Sequence, residues 1–212
     1  MGFSFTQFLN RQYAVPDGWF GRFFIAPYLD RSNRRSHEFI YQNLDIDRCQ
    51  SVLEVGFGGG KFLLRLAREF PLIKFVGAEY SHEMLNRLTS RLARSSMPEN
   101  IGLVEGSVES LPLESNQFDC VYSINTIYFW PNRLKGLVEI SRLLTIDGEL
   151  VIGMASDAAL RLAQYDTQIF TITSLEELAD DCAQAGLKIS DVKSLNRGER
   201  GDFYVCKIVR VR

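Results

Sequence analysis

The stretch that decides the fold is VLEVGFGGGKFLLRLA, Val52 to Ala67. An apolar run stops at a cluster of glycines, and an amphipathic helical pattern starts directly after it. A strand that feeds a helix through a glycine-rich turn is typical of nucleotide-binding α/β folds. The glycines therefore predict a ligand site at the end of a buried strand.

The rest of the chain from residue 51 onward alternates strand and helix patterns, which is typical of a parallel sheet covered on both faces. The predicted strands are Ser51–Val55, Lys74–Glu79, Ile101–Glu105, Phe118–Ser123 and Glu149–Met154. The predicted helices are Lys61–Phe70, which Pro71 stops, Glu83–Ser95 with Ser81 as its N-cap, and Arg133–Leu144. We expect a turn at IDGE, Ile146 to Glu149, before the fifth strand.

The C-terminal part of the chain predicts a helix that Ser174 caps and Gly186 ends, followed by two more strands. These strands, LKISDVKSL and DFYVCKIVRV, are separated only by NRGERG. A parallel crossover needs a dozen residues or more, so the last strand is predicted to run antiparallel. The expected fold is α/β: a Rossmann-like, seven-stranded, mostly parallel sheet with an antiparallel last strand and helices on both faces.

The N-terminal region, residues 1–45, is rich in aromatic residues and predicts a helical cap on a Rossmann-like domain spanning residues 46–212. Its aromatic rings either only pack onto that domain or also form the wall of a substrate pocket. Tyr28 and Asn33 are the candidate substrate contacts in this region. Arg31, Arg34 and Arg35 form a basic cluster beside Asn33. This cluster is either a solvated helix face or a site for an anionic acceptor or a lipid headgroup.

Composition narrows the class of protein. The formal net charge of -2 argues against sequence-independent binding of nucleic acid. No apolar run approaches the ~20 residues that cross a bilayer, and the N-terminus does not resemble a signal peptide. The four cysteines are far apart and lack a C-x-x-C pair, which favours reduced, mostly buried thiols over a metal site or disulfides. We expect a cytoplasmic monomer or homodimer.

The glycine loop, Gly56 to Lys61, fails two phosphate-binding patterns. The pattern G-x-x-x-x-G-K-[ST] would need a glycine at Val55 and a hydroxyl at Phe62. The dinucleotide pattern G-x-G-x-x-G would need a glycine at Lys61, which disfavours an NAD(P) oxidoreductase. The pattern that remains is E-x-G-x-G-x-G, formed by Glu54, Gly56, Gly58 and Gly60. An acid before the glycines suits a cation better than a pyrophosphate.

S-adenosylmethionine fits this pattern, since it carries a sulfonium, an ammonium and a carboxylate but no phosphate. Glu54 can accept a hydrogen bond from the ammonium, and backbone N–H groups near Gly58 and Gly60 can face the carboxylate. Glu79, at the tip of the second predicted strand, can accept from the ribose hydroxyls. A nicotinamide dinucleotide uses an acid at the same place, so Glu79 alone does not discriminate.

Four segments together resemble the class I S-adenosylmethionine-dependent methyltransferases, and most closely their small-molecule branch, which includes the ubiquinone and menaquinone biosynthesis enzymes. The segments are VLEVGFGGG, GAEYS, LVEGSVESLPLESNQFDCVYSINTIYFWPN and LVEISRLLTIDGELVIG. The resemblance implies further cofactor-binding residues: Tyr80 and Met84 against adenine, Val108 and Ser107 beside it, and Ser123 and Asn125 at the methionine portion. The family usually has an acid where this chain has Ser107.

Methyl transfer is an in-line displacement, in which the protein mainly aligns two substrates and excludes water. The segment NTIYFWPN places Tyr128, Phe129 and Trp130 after the fourth strand. These rings either pack the loop or form an apolar wall for a small, lipophilic or aromatic acceptor.

No residue is assigned as a catalytic base or a metal ligand, since neither His37 nor His82 is persuasive. The sequence thus predicts a methyltransferase. The alternative is a catalytically silent binding module that keeps the fold.

Overall fold

The computed structural model describes residues 34–94, 98–162 and 170–211, so that Tyr28, Arg31 and Asn33 lie outside the described residues. The described strands are β1 Ser51–Val55, β2 Lys74–Glu79, β3 Ile101–Glu105, β4 Phe118–Ile124, β5 Leu144–Ala155, β6 Leu187–Asn196 and β7 Asp202–Arg210. The described helices are α1 Arg34–Tyr41, α2 Lys61–Glu69, α3 His82–Leu92, α4 Arg133–Leu143, α5 Asp157–Leu162 and α6 Leu175–Gln184. Short 3₁₀ turns occur at Ile46–Arg48, Ile127–Phe129 and Gly198–Arg200.

The described strands form one seven-stranded sheet in the order β3-β2-β1-β4-β5-β7-β6. The pairs from β3 to β5 are parallel, whereas β7 is antiparallel to both β5 and β6. The prediction of a mostly parallel sheet with a reversed last strand is confirmed. The order reverses direction between β1 and β4, and open α/β sheets bind their ligands at the carboxyl ends of strands at such a point.

Two apolar cores lie on the two faces of this sheet. One face is covered by α1 and α2. Ile40 of α1 packs so closely over Gly153 that a Cβ on Gly153 would overlap the Cδ1 atom of Ile40. The other face is covered by α4 and α6, through Leu137, Ile140 and Leu178. Helix α6 begins with the predicted cap: Ser174 accepts a hydrogen bond from the Glu177 N–H, and Glu177 accepts from the Ser174 N–H.

The predicted turn at Ile146 to Glu149 is wrong, since β5 runs continuously through it. The register slips there, because Phe118 of β4 pairs with Leu144 while Cys120 pairs with Glu149. Gly148 allows the bulge: a Cβ on it would lie 2.9 Å from the carbonyl oxygen of Phe118. Helix α5 was not predicted, and α3 is shorter than the predicted Glu83–Ser95 at its C-terminal end.

All four cysteines are free, with Cys120, Cys182 and Cys206 buried and Cys49 half-buried, as the sequence predicted. Within the described ranges, no helix is long and apolar enough to span a membrane. The boundary at residue 45 between a cap and the main domain stays a prediction.

Candidate functional site

The glycine loop joins β1 to α2 at the carboxyl end of the sheet. Gly56, Gly58 and Gly60 have φ values of 76°, 51° and 67°, in the left-handed region that side chains with a Cβ avoid. The Gly56 N–H donates to the Ala78 carbonyl of β2 at 2.8 Å. The start of the loop therefore continues the pairing of β1 with β2, and its backbone conformation requires the predicted glycines.

The three glycines differ in what surrounds them. A Cβ on Gly56 would lie 2.6 Å from Cγ2 of Thr126, and one on Gly60 would lie 2.6 Å from Cδ2 of Leu88. A Cβ on Gly58 would meet no atom of the described residues within 4 Å. Gly56 and Gly60 are therefore needed for packing, whereas Gly58 presents bare backbone to open space beside the loop.

Glu79, at the end of β2, reaches this open space. Its carboxylate accepts hydrogen bonds from the Gly58 N–H at 2.8 Å and from the Ser81 N–H at 2.9 Å. Burial raises the pKa of Glu79, and the backbone N–H donors oppose this rise. A carboxylate has about four lone-pair positions, so Glu79 can accept from a diol while it holds the loop.

Glu54, in β1, is almost fully buried, with 4% of its surface exposed. Its Oε2 atom accepts a hydrogen bond from the Tyr122 hydroxyl of β4 at 3.0 Å. Burial raises the pKa of Glu54 to about 8, the Tyr122 hydroxyl opposes the rise, and the charge of Glu79 adds to it. Without a cation nearby, this carboxyl is mostly neutral at pH 7; an ammonium favours its ionised form.

Two contacts at the loop were not predicted. One is the hydrogen bond of Tyr122 with Glu54. The sequence signal that could have indicated it is a tyrosine inside an apolar strand, because a buried tyrosine hydroxyl needs a polar partner. The other is Arg91 of α3, whose guanidinium donates to the Gly59 carbonyl at 2.8 Å. No sequence pattern pointed to Arg91, because the contact joins segments about 30 residues apart.

The predicted adenine side lies between β2 and β3. Tyr80 is exposed beside Glu79. Met84 lies in the first turn of α3 with its side chain buried, and the hydroxyl of the N-cap Ser81 accepts from the Met84 N–H at 3.4 Å. The Ser107 hydroxyl accepts from the Glu109 N–H at 3.3 Å, and Val108 is buried. These positions leave Tyr80 the most open of the predicted adenine contacts, and the contacts themselves stay predictions.

The end of β4 is tied to the glycine loop. The Ser123 hydroxyl donates to the Val55 carbonyl at 3.1 Å and is hydrogen-bonded to Thr126, the residue that packs against Gly56. Asn125 has a φ of 57°, and its N–H donates to the Gly153 carbonyl at 2.8 Å. Both predicted residues thus lie at the carboxyl end of β4 and fix the backbone opposite the loop.

The aromatic segment after β4 divides into buried and partly exposed rings. Tyr128 and Trp130 are buried. The Tyr128 hydroxyl donates to Oδ1 of Asn125 at 3.2 Å and accepts from the Ala155 N–H, so it is engaged inside the protein. Phe129 is less buried and packs edge-to-face on Phe170, with ring centroids 4.7 Å apart. Of the three predicted acceptor contacts, Phe129 is the most open.

The two histidines have other neighbours. The His37 ring lies 5.2 Å from that of Phe62, and the exposed His82 pairs with Glu105 at 2.9 Å. In the part of the chain that the structure describes, no group of three or more His, Cys, Asp or Glu residues is placed to hold a metal ion.

Comparison with known proteins places this site in a family. Residues 53–152 match the family described as a methyltransferase domain. The uncharacterized methyltransferase YdaC of Bacillus subtilis is 31% identical over 131 residues, 61% of this chain and 70% of that protein. The ubiquinone/menaquinone biosynthesis C-methyltransferase UbiE of Citrifermentans bemidjiense is 28% identical over 137 residues, 60% of this chain and 58% of that protein.

A structural match extends further along the chain. It is a chain of the complex between the Trm112 methyltransferase activator of Haloferax volcanii and a methyltransferase, with a TM-score of 0.77 and 16% identity. The match covers 91% of this chain and 96% of that one. At this identity the likeness shows the fold.

The chain belongs to the methyltransferase family, and S-adenosylmethionine is the cofactor that this family implies. The residues present fit that cofactor. Gly58 offers a backbone cradle that a Cβ would fill, and Glu79 and Glu54 supply carboxyl groups where a phosphate would be repelled.

Proposed function

We propose that the protein transfers the methyl group of S-adenosylmethionine to a small, lipophilic or aromatic acceptor. The observation that carries this proposal is the open position at Gly58, bounded by the carboxylate of Glu79 and backed by the buried carboxyl of Glu54. A ribose diol, an ammonium and a carboxylate each find a complementary group there, and a pyrophosphate does not.

Each residue has a role in this proposal. Glu79 accepts from both ribose hydroxyls, and Glu54 faces the ammonium. The Gly58 N–H donates to Glu79 and the Gly60 N–H to the Phe57 carbonyl, so the Gly59 N–H between them is the loop donor that faces the methionine carboxylate. Bound in this way, the cofactor supplies an electrophilic methyl group. The protein's part is to align the acceptor with it and to exclude water, which is worth about 7–11 kcal/mol in well-oriented reactions.

The acceptor side rests on the aromatic segment. Phe129 and Phe170 form an apolar wall, and the ring of Tyr128 packs against both, with centroids 5.9 and 6.3 Å away. The UbiE name refers to ubiquinone and menaquinone biosynthesis, which agrees with a flat, lipophilic acceptor. Tyr28 and Asn33 are further acceptor contacts in this proposal. Four free thiols favour a reducing compartment such as the cytoplasm.

The matched segment spans 58% of the UbiE relative, so the activity of the whole protein is part of the proposal. Calorimetric titration with S-adenosylmethionine tests the cofactor site. Incubation with methyl-labelled cofactor and a cell extract, followed by identification of the labelled product, tests the transfer. Binding of nicotinamide dinucleotide in place of S-adenosylmethionine would contradict the proposal.

A binding module without turnover is the second candidate, favoured by Ser107 at the position where the family usually has an acid. Such a module would bind S-adenosylmethionine yet form no S-adenosylhomocysteine with any fraction of the extract. A methyltransferase forms this product in proportion to a labelled acceptor.

A further inference from the structure

The pairing of Glu54 with Tyr122 joins the glycine loop's strand to β4. The two residues are register partners, so their side chains project from the same face of the sheet. Tyr122 is fully buried, and the Phe62 ring packs edge-on against its ring with centroids 5.6 Å apart. The hydroxyl of Tyr122 is therefore held at a fixed point beside Glu54.

The two oxygens of Glu54 have different surroundings. Oε2 accepts from the Tyr122 hydroxyl at 3.0 Å, and Oε1 has no hydrogen-bond partner among the described residues. By contrast, every fully buried side-chain nitrogen or oxygen in the described ranges has a hydrogen-bond partner. Oε1 is therefore not sealed inside the protein, and it is the oxygen available to a ligand.

The charged and titratable groups that act on Glu54 are few. Tyr122 faces it from β4, and Glu79 adds a negative charge from β2. From α2 the neighbouring group is the neutral ring of Phe62, and His37 of α1 contacts that ring. Burial and the Glu54 carboxylate hold the pKa of Tyr122 well above its usual range, so Tyr122 remains a donor at all ordinary pH values.

These surroundings locate the proton of Glu54. Because Tyr122 donates to Oε2, the proton of the neutral carboxyl lies on Oε1, the oxygen available to a ligand. An ammonium that approaches Oε1 replaces that proton, which leaves for the solvent.

We propose that Tyr122 is a positioning residue of the cofactor site: its hydroxyl fixes Oε2 of Glu54, so that Oε1 meets the ammonium of the methionine moiety and binding releases the Glu54 proton. This inference rests on the proposed function, since it assigns the ammonium to Glu54. It adds a residue on β4 that contacts the cofactor only through its partner.

The test is calorimetric titration of the full chain with S-adenosylhomocysteine, which binds without reacting. Titrations between pH 6.0 and 7.5 in phosphate and in imidazole, two buffers with different heats of ionisation, give the affinity and the number of protons released. In this range the ligand's α-amino group is protonated, because that of a free amino acid is more basic than a polypeptide N-terminus. For a carboxyl whose pKa is about 8, we expect release of about 0.9 proton at pH 7 and an affinity that rises about tenfold from pH 6 to pH 7.

Tyr122→Phe keeps the ring and removes the donor. We expect its affinity at pH 7 to fall about tenfold or more, since hydrogen bonds to charged groups contribute about 1.5–3 kcal/mol and 1.4 kcal/mol corresponds to tenfold. Its pH profile should move to higher pH, because the donor lowers the pKa of Glu54. Glu54→Gln should release no proton at pH 7, and Tyr204→Phe on β7, the matched control, should behave as the wild type.

Several outcomes would overturn the inference. Tyr122→Phe that binds S-adenosylhomocysteine with the wild-type affinity and proton release would refute the role of Tyr122, while the proposed function would stand. Wild-type protein that binds the ligand without releasing a proton would refute the role of Glu54. This measurement does not need the Tyr122→Phe variant, so it tests the inference even if that variant does not fold. Wild-type protein that does not bind the ligand would refute the proposed function itself.

A second ligand isolates the ammonium. 5′-Methylthioadenosine keeps the adenosine and the sulfur but lacks the ammonium and the carboxylate. We expect it to bind wild type and Tyr122→Phe equally and to release no proton. Proton release with this ligand would show that the ammonium is not the group that Glu54 meets.

Discussion

Alanine at Gly58 separates the cofactor site from the stability of the fold. Gly58 has a φ of 51°, and within the part of the chain that the structure describes a Cβ there would meet nothing within 4 Å. The substitution therefore costs only the left-handed backbone strain, about 1–2 kcal/mol. For a chain of this size, each kcal/mol lowers the melting temperature by about 2–4 °C. The space that the new methyl group fills is the cradle assigned to the methionine moiety.

Gly186 provides a matched control. It follows the end of α6 with a φ of 72°, and a Cβ there would also contact none of the described residues within 4 Å. Gly186→Ala should therefore lose as much stability as Gly58→Ala. In titrations with S-adenosylmethionine, we expect Gly58→Ala to bind at least about tenfold more weakly, a loss of about 1.4 kcal/mol. Gly186→Ala should keep the wild-type affinity.

Scanning calorimetry measures the two melting temperatures, and titration calorimetry measures the two affinities. Equal affinities for the two variants would refute the reasoning, because Gly58 would then not line the cofactor site. A Gly58→Ala variant that does not fold would refute the statement that its surroundings are open.

Three other predictions concern single residues. The folded-state pKa of Glu54, about 8, lies above its unfolded value, so its contribution to stability is full below about pH 4.5 and is lost as the pH rises to 8, by about 1.4 kcal/mol per pH unit. In urea titrations of the cofactor-free protein, the free energy of unfolding of Glu54→Gln should rise relative to that of the wild type as the pH rises across that window. A difference that stays constant with pH would contradict the raised pKa. Asn125 has a positive φ, so Asn125→Ala should unfold about 1 kcal/mol more easily than Asn125→Gly in the same assay, and equal stability would contradict this. Iodoacetamide should modify Cys49 before Cys182, with the order of modification read by mass spectrometry. A hydrogen bond with Cys120 lowers the pKa of the half-buried Cys49 thiol, whereas burial raises the pKa of Cys182 to about 12. Earlier modification of Cys182 would contradict this.

The sequence predicted the bounds of a strand well where turn-forming residues flank it. The bounds of β1, β2 and β3 agree with the prediction, because glycines, prolines or polar residues flank their apolar runs. The start of β5 was missed by five residues, because the polar pattern at Asp147 and Gly148 is that of a turn, and only the pairing with β4 makes it a bulge. Helix α5 was missed because six residues are too short for a periodic pattern.

The candidate site could be predicted in its residue types but not in its contacts. The spacing of the glycines and the position of Glu79 follow from local patterns. The hydrogen bond from Gly58 to Glu79 spans 21 residues, and that from Tyr122 to Glu54 spans 68. Such contacts depend on the order of strands in the sheet, which local periodicity does not determine.

The most direct test of the central claim is a crystal structure of the protein with bound S-adenosylhomocysteine. We predict that both ribose hydroxyls lie about 2.5–3.0 Å from the carboxylate oxygens of Glu79, with the methionine moiety against Gly58. A structure in which the ribose lies away from Glu79, or in which the ligand occupies another part of the surface, would contradict the account.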